Sequence, residues 1–128
     1  MNSTTDLFAV IYVLRVSVEN DPRIVARCET CVFNAPTPSH AFEMAKSLAD
    51  RLTNSYRNSD GEIVTETCLG LHDLDRVEPN AYDYFGTTSS LNFVCASDLD
   101  PSSLVRTRDE LSCFNPKSTD DGLPNLSQ

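Results

Sequence analysis

The cysteine pair Cys28-Glu29-Thr30-Cys31 has a spacing that redox and zinc sites use. Such sites depend on a turn or a helix N-terminus to bring both sulfurs to one side. Here the pair falls in an alternating, strand-like stretch, and on a strand residues three apart point to opposite faces. Zinc also calls for about four ligands, and His40 and His72 are the only histidines to complete a set. Cys28 and Cys31 therefore read as strand residues, and neither a metal nor a cofactor is expected. A second grouping is His72-Asp73 with Asp75 and Glu78 close behind. A histidine oriented by a carboxylate can act as a general base, so His72 is a candidate base. A nucleophile elbow of the Gly-x-Ser-x-Gly kind is missing from the chain, and no catalytic residue is assigned. His40 reads as a surface residue. Gly61, Gly70, Gly86 and Gly122 stand too far apart for a phosphate-cradling loop.

Tyr56, Asn58, Gly61 and Glu62 form a third grouping, with a structural reading. Asn58 and Gly61 supply turn geometry through side-chain bonding to the backbone and positive φ. Tyr56 is expected to close a helix onto the sheet, and Glu62 to cap backbone N–H groups. A fourth is Tyr82, Tyr84 and Phe85 beside Glu78 and Asp83. Aromatic side chains in a loop are typical of interface hot spots, so these three are a candidate interaction surface; the competing reading folds them over an open sheet face.

The elements that must carry these residues follow from periodicity. Leu7–Leu14 is apolar at every position and continues into an alternating stretch to Glu19, a strand covered on both faces. After the turn Asn20-Asp21-Pro22, Arg23–Phe33 reads as a second strand, hairpin-paired to the first. Ile24, Ala26, Cys28, Thr30 and Val32 share one of its faces; Arg23, Val25, Arg27, Glu29, Cys31 and Phe33 share the other, more polar one. Thr37 is an N-cap with Pro38 at the first helical position. Ala41, Ala45, Leu48 and Leu52 recur at helical spacing, predicting a helix from Ser39 to Ser55 with small residues for a close approach to the sheet. Glu62–Leu71 is a third strand, with Ile63, Leu69 and Leu71 on one face and Val64 and Cys68 on the other. An irregular stretch, Asp73–Ser90, precedes a fourth strand, Leu91–Ala96. Ser102–Phe114 is one weak element docking through Leu104, Val105, Leu111 and Phe114. The fold class is α+β: ββαββ, a mostly antiparallel sheet with one main helix on one face. Residues 1–114 make one domain, and the polar stretch 115–128 is expected to be a disordered tail.

At 128 residues and 40% hydrophobic content the chain can bury a sizeable core. Five cysteines cannot all pair within one chain, so reduced thiols are expected. The eight apolar residues of Leu7–Leu14 fall short of a membrane span, which takes roughly 20, and no positively charged leader precedes them. The expected location is the cytoplasm. The net charge of −9 is concentrated after residue 59. Nucleic acids and anionic membranes are bound through Lys and Arg, so neither is an expected partner.

Tyr56-Arg57-Asn58-Ser59-Asp60-Gly61-Glu62-Ile63-Val64 resembles the Tyr-x-Asn-x-x-Gly-Glu-x-Val signature of the bacterial domain of unknown function family DUF4288. Phe8-Ala9-Val10 and the helix start at His40-Ala41-Phe42 are similar to that family too. Gly86-Thr87 with Phe93 resembles its closing Gly-Thr-Glu…Phe segment, with Thr88 in place of the Glu and a longer insertion at Pro79–Tyr84. The resemblance spans roughly residues 7–95 and implies the fold but no activity.

The expectation for function is a non-catalytic protein-interaction or self-associating module, binding a protein partner or a second copy as a homodimer. One alternative is an immunity or inhibitor-type protein that meets a basic partner through its acidic surface. Another is a small hydrolase or ligand-binding protein built on His72 and the acidic loop. The dimer expectation comes from the two apolar rows of the first strand, Phe8, Val10, Tyr12 and Leu14 one way and Leu7, Ala9, Ile11 and Val13 the other. One helix covers one face, and the row left open needs a cover from the Tyr82–Phe85 loop, the Leu104–Phe114 segment or a second copy.

Overall fold

The structure, a computed structural model, describes residues 5–78, 88–94 and 100–115, with backbone alone for 88–94. Strands β1 (Asp6–Val18) and β2 (Asp21–Ala35) form a long hairpin, followed by helix α1 (Pro38–Ala49). A 3-10 turn, Asp50–Leu52, leads into β3 (Asn54–Arg57), then β4 (Ile63–Arg76) and β5 (Thr88–Val94). Three further 3-10 turns lie within the segment 100–115. The strands form one antiparallel sheet in the order β3-β4-β1-β2-β5. The α+β class and the strand-strand-helix-strand-strand order hold, with β3 as an additional short strand.

β1 lies at the centre because it alone can present apolar side chains both ways. Phe8, Val10, Tyr12 and Leu14, none of them exposed, form the core beneath α1 with Leu71, Leu74, Ala35, Ala41 and Ala45. Thr37 caps α1 by accepting from the His40 N–H at 3.1 Å, with Pro38 next in line. Ala41 and Ala45 are the buried helix residues, and their small side chains allow a close approach. The Tyr12 hydroxyl donates to the Ala45 carbonyl at 2.6 Å, tying helix to sheet.

The helix ends earlier than its periodicity suggests. Ala49 is its last residue, and Asn54-Ser55-Tyr56-Arg57 turns outward to pair with Glu66–Ile63. Asn, Ser and Tyr gain little from the helix, whereas the Asn58–Gly61 turn offers them a hairpin. β4 also runs on to Arg76, past the expected end at Leu71.

The face assignment within β4 needs correction. The register with β1 slips at two points, leaving Leu69 and His72 as extra residues. Each bulge shifts the alternation by one, so Cys68, Leu71 and Leu74 all pack with the core beneath α1 and Leu71 does not share the Ile63 face. On the other face of β1, Leu7 and Val13 are buried, and Ala9 and Ile11 are half-buried.

Segment 100–115 runs along the edge of β4 beyond β3. Pro101–Leu104 packs on β1 and β4. The Arg106 N–H donates to the Leu71 carbonyl at 2.9 Å. Val105 occupies the space beside Gly70, which has φ +151° and a would-be Cβ 2.7 Å from Val105 Cγ1. Leu111 is fully buried in the core, and Phe114 meets the Phe42 ring edge-on at 6.0 Å. The Arg108 guanidinium lies 3.8 Å over the Phe114 ring and donates to Ser39 Oγ at 3.2 Å. The docking expected through Leu104, Val105, Leu111 and Phe114 is thus present, as successive 3-10 turns.

Candidate functional site: the sheet end beyond the helix

The helix covers the half of the sheet at Phe8–Leu14. Beyond it, on the same face, β1 carries Val16 and Val18, and its neighbours carry Val25, Arg27, Glu29, Val64 and Glu66. Arg27 makes two ion pairs: Nη1 donates to Glu29 Oε1 and Nη2 to Glu66 Oε1, each at 2.8 Å. Glu29 is its neighbour on β2, while Glu66 lies on β4, across β1. The Tyr56 hydroxyl donates to Glu66 Oε2 at 3.1 Å. Glu29, Arg27, Glu66 and Tyr56 thus form a polar ladder across four strands. The three charged side chains are only 15%, 18% and 12% exposed. The sequence alone does not bring this group together; its one signal is Arg27 and Glu29 two apart on the more polar face of β2. Tyr56 itself is 49% exposed on β3 and does not close the helix onto the sheet. The hydrogen bond to Glu66 comes first among the causes that raise its hydroxyl pKa, ahead of burial.

Asn58, Gly61 and Glu62 build the β3–β4 turn. Asn58 Oδ1 accepts from the N–H groups of Asp60 at 2.9 Å and Glu62 at 3.0 Å, and the Asn58 N–H donates to the Glu62 carbonyl at 2.9 Å. Gly61 has φ +80°, the left-handed conformation that glycine takes without a steric cost. The Glu62 carboxylate accepts from Asn58 Nδ2 at 3.5 Å rather than from a backbone N–H. The Arg57 guanidinium donates to the Gly61 carbonyl at 2.8 Å.

Cys28 pairs with Val13 and Cys31 with Val10, so the two thiols face opposite sides of the sheet, as strand geometry requires. Burial raises the pKa of both, which disfavours the reactive thiolate. Cys28, Cys31, Cys68 and Cys113 are free thiols.

His72 sits on a β4 bulge, where Nδ1 lies 2.8 Å from the Leu104 carbonyl. A carbonyl oxygen only accepts, so Nδ1 carries the proton. The orienting group is this carbonyl, while the Asp73 carboxylate accepts from the Ser112 N–H and hydroxyl, each at 2.8 Å. His40 is exposed in the first turn of α1. The candidate surface at Tyr82, Tyr84 and Phe85 lies outside the described residues, as do Cys95 and residues 116–128.

Large apolar side chains reappear at the surface at this same end of the sheet. Ile24 is 43% exposed and Ile63 37%. Alternation from Val25 and Val64 puts both on the face opposite α1. The end is held together by Glu19, whose N–H donates to the Ile63 carbonyl at 2.9 Å and whose carboxylate accepts from the Ile63 N–H at 3.0 Å.

Among the described residues, no helix is long and apolar enough to cross a membrane. The model of a family described as "Domain of unknown function (DUF4288)" matches residues 7–84, from the start of β1 to beyond β4. No curated protein and no solved structure matches the chain.

Proposed function

We propose that this chain, which belongs to the DUF4288 family, is a non-catalytic protein-interaction or self-associating module that works through the sheet end beyond the helix. The observation that carries this reading is that Ile24, Tyr56 and Ile63, the exposed large apolar side chains of the described residues, all lie at that one end of the sheet, Tyr56 on the face of the ladder and the two isoleucines on the other. Isolated surface apolar residues are ordinary, but Ile24 and Ile63 share one face of strands that the polar ladder ties together on the other, which gives a contact surface that costs little ordering on binding. The bonding of His72 and Asp73 supports the same reading, since both are engaged with segment 100–115.

The test compares tagged full-length wild type with a chain carrying Ile24→Asp and Ile63→Asp. Both positions are exposed, so the melting temperature should be unchanged. The wild type is expected to retain a specific partner, foreign or a second copy, and the variant to lose it. Equal retention by both chains would overturn the assignment of this surface.

A further inference from the structure

We propose that the chain pairs with a second copy of itself at the β3 side of this sheet end, through antiparallel pairing of β3 with β3 about a two-fold axis at Tyr56; this rests on the self-associating reading above. Among the described residues, β3 is the outermost strand at its side of the sheet. Which of its backbone groups face outward follows from β4. The Ile63 N–H and carbonyl are both engaged by Glu19, on the β1 side. Its pairing partner Arg57 is therefore at a non-hydrogen-bonded position and points its own N–H and carbonyl outward. Alternation gives Ser55 the same orientation. The Asn58–Glu62 backbone bond and the Cys68 N–H directed at Thr53 Oγ1 fit this phase.

Ser55 and Arg57 form a self-complementary edge. Setting Tyr56 opposite Tyr56 of the second copy places each Ser55 across from an Arg57, and about four backbone hydrogen bonds close within the strand. The two exposed Tyr56 rings then stand side by side at the axis. A register centred on Ser55 would need Thr53, which lies outside the strand.

Charge favours a second copy at this place. The chain carries −9, so most approaches between two copies are repulsive. Residues 50–61 hold Asp50, Arg51, Arg57 and Asp60 and are neutral. The open edge and this neutral stretch coincide.

Sedimentation of the full chain over micromolar concentrations tests the pairing. Wild type should approach twice the 14.2 kDa chain mass. Ser55→Pro, which removes an outward N–H, and Tyr56→Lys, which sets like charges together at the axis, should each weaken association at least tenfold. Circular dichroism checks that both variants fold. Tyr56→Cys adds a readout of register: opposed non-hydrogen-bonded positions lie about 4.5 Å apart at Cα, within disulfide range. Mild oxidation should cross-link that variant and leave wild type uncross-linked. A dimer that survives both substitutions without cross-linking overturns the β3 pairing but leaves self-association standing. A wild type that stays at 14.2 kDa overturns both. A monomeric chain that captures a foreign protein, and loses it in Ser55→Pro, replaces the second copy with a foreign strand.

Discussion

Arg27 on β2 and Glu66 on β4 form a 2.8 Å ion pair across the intervening strand β1. Glu29 shares the same guanidinium, so one cation holds two carboxylates that are little exposed. Removing one partner of such a group costs more than the pair contributes, because the remaining charges stay desolvated. Arg27→Met should lower stability by about 2–4 kcal/mol. Adding Glu66→Gln should recover part of that loss. Urea denaturation of the three chains measures both steps.

Tyr12 anchors α1 through its 2.6 Å bond to the Ala45 carbonyl. Tyr12→Phe keeps the ring and removes the hydroxyl, so the expected loss is about 1 kcal/mol. The helix signal in circular dichroism should survive, with a lower melting temperature.

Gly70 and Val105 make a steric prediction. Gly70→Ala would place a Cβ against a stiff β-branched side chain, at a φ that L-residues rarely adopt. A loss of about 1–3 kcal/mol is expected. Val105→Ala in the same chain should relieve the clash but not the backbone strain, giving partial recovery in thermal melts.

Leu111 is fully buried. Leu111→Ala should cost about 2–5 kcal/mol, a strong effect for a residue beyond the family match. A fragment holding residues 7–84 alone should show a weak melting transition or none by calorimetry.

Alkaline pH should destabilise the fold. The Cys113 thiol is pushed up from 9.0 to about 11, first by burial and then by Asp75 and Asp73. Tyr12 is raised above 10.0, also by burial first. In both cases the unfolded chain loses its proton before the folded one. The stabilisation is complete below the ordinary pKa values and falls as pH rises through the raised ones. Melting temperature should drop from about pH 9 upward. At pH 8, iodoacetamide should alkylate Cys113 far more slowly in the folded chain than in urea.

The legible parts of the sequence were those written in local chemistry. Thr37-Pro38 marks the helix start because a cap and a missing N–H belong at those positions. Leu104, Val105, Leu111 and Phe114 stood out as apolar residues in a polar stretch, and each makes a docking contact. The helix end was hidden because Leu48 and Leu52 stay in helical phase; only pairing with β4 draws Asn54–Arg57 out. The bulges at Leu69 and His72 were hidden because an inserted residue leaves no mark on period-two reading, although Gly70 between them is a hint. The ladder from Glu29 to Tyr56 depends on strand order, which puts β4 two strands from β2. Local periodicity carries no such information.

The place of Leu111 has a consequence for biosynthesis. The chain emerges from the ribosome from its N-terminus, at about 5–20 residues per second. β1 is made first, yet its inner face stays incomplete until Leu111 follows. During that interval the long β1–β2 hairpin has an unfilled apolar slot and unpaired edges, the features that recruit chaperones or promote aggregation. Slowing translation late in the message, between β4 and residue 111, should therefore lower the yield of native protein more than slowing it earlier.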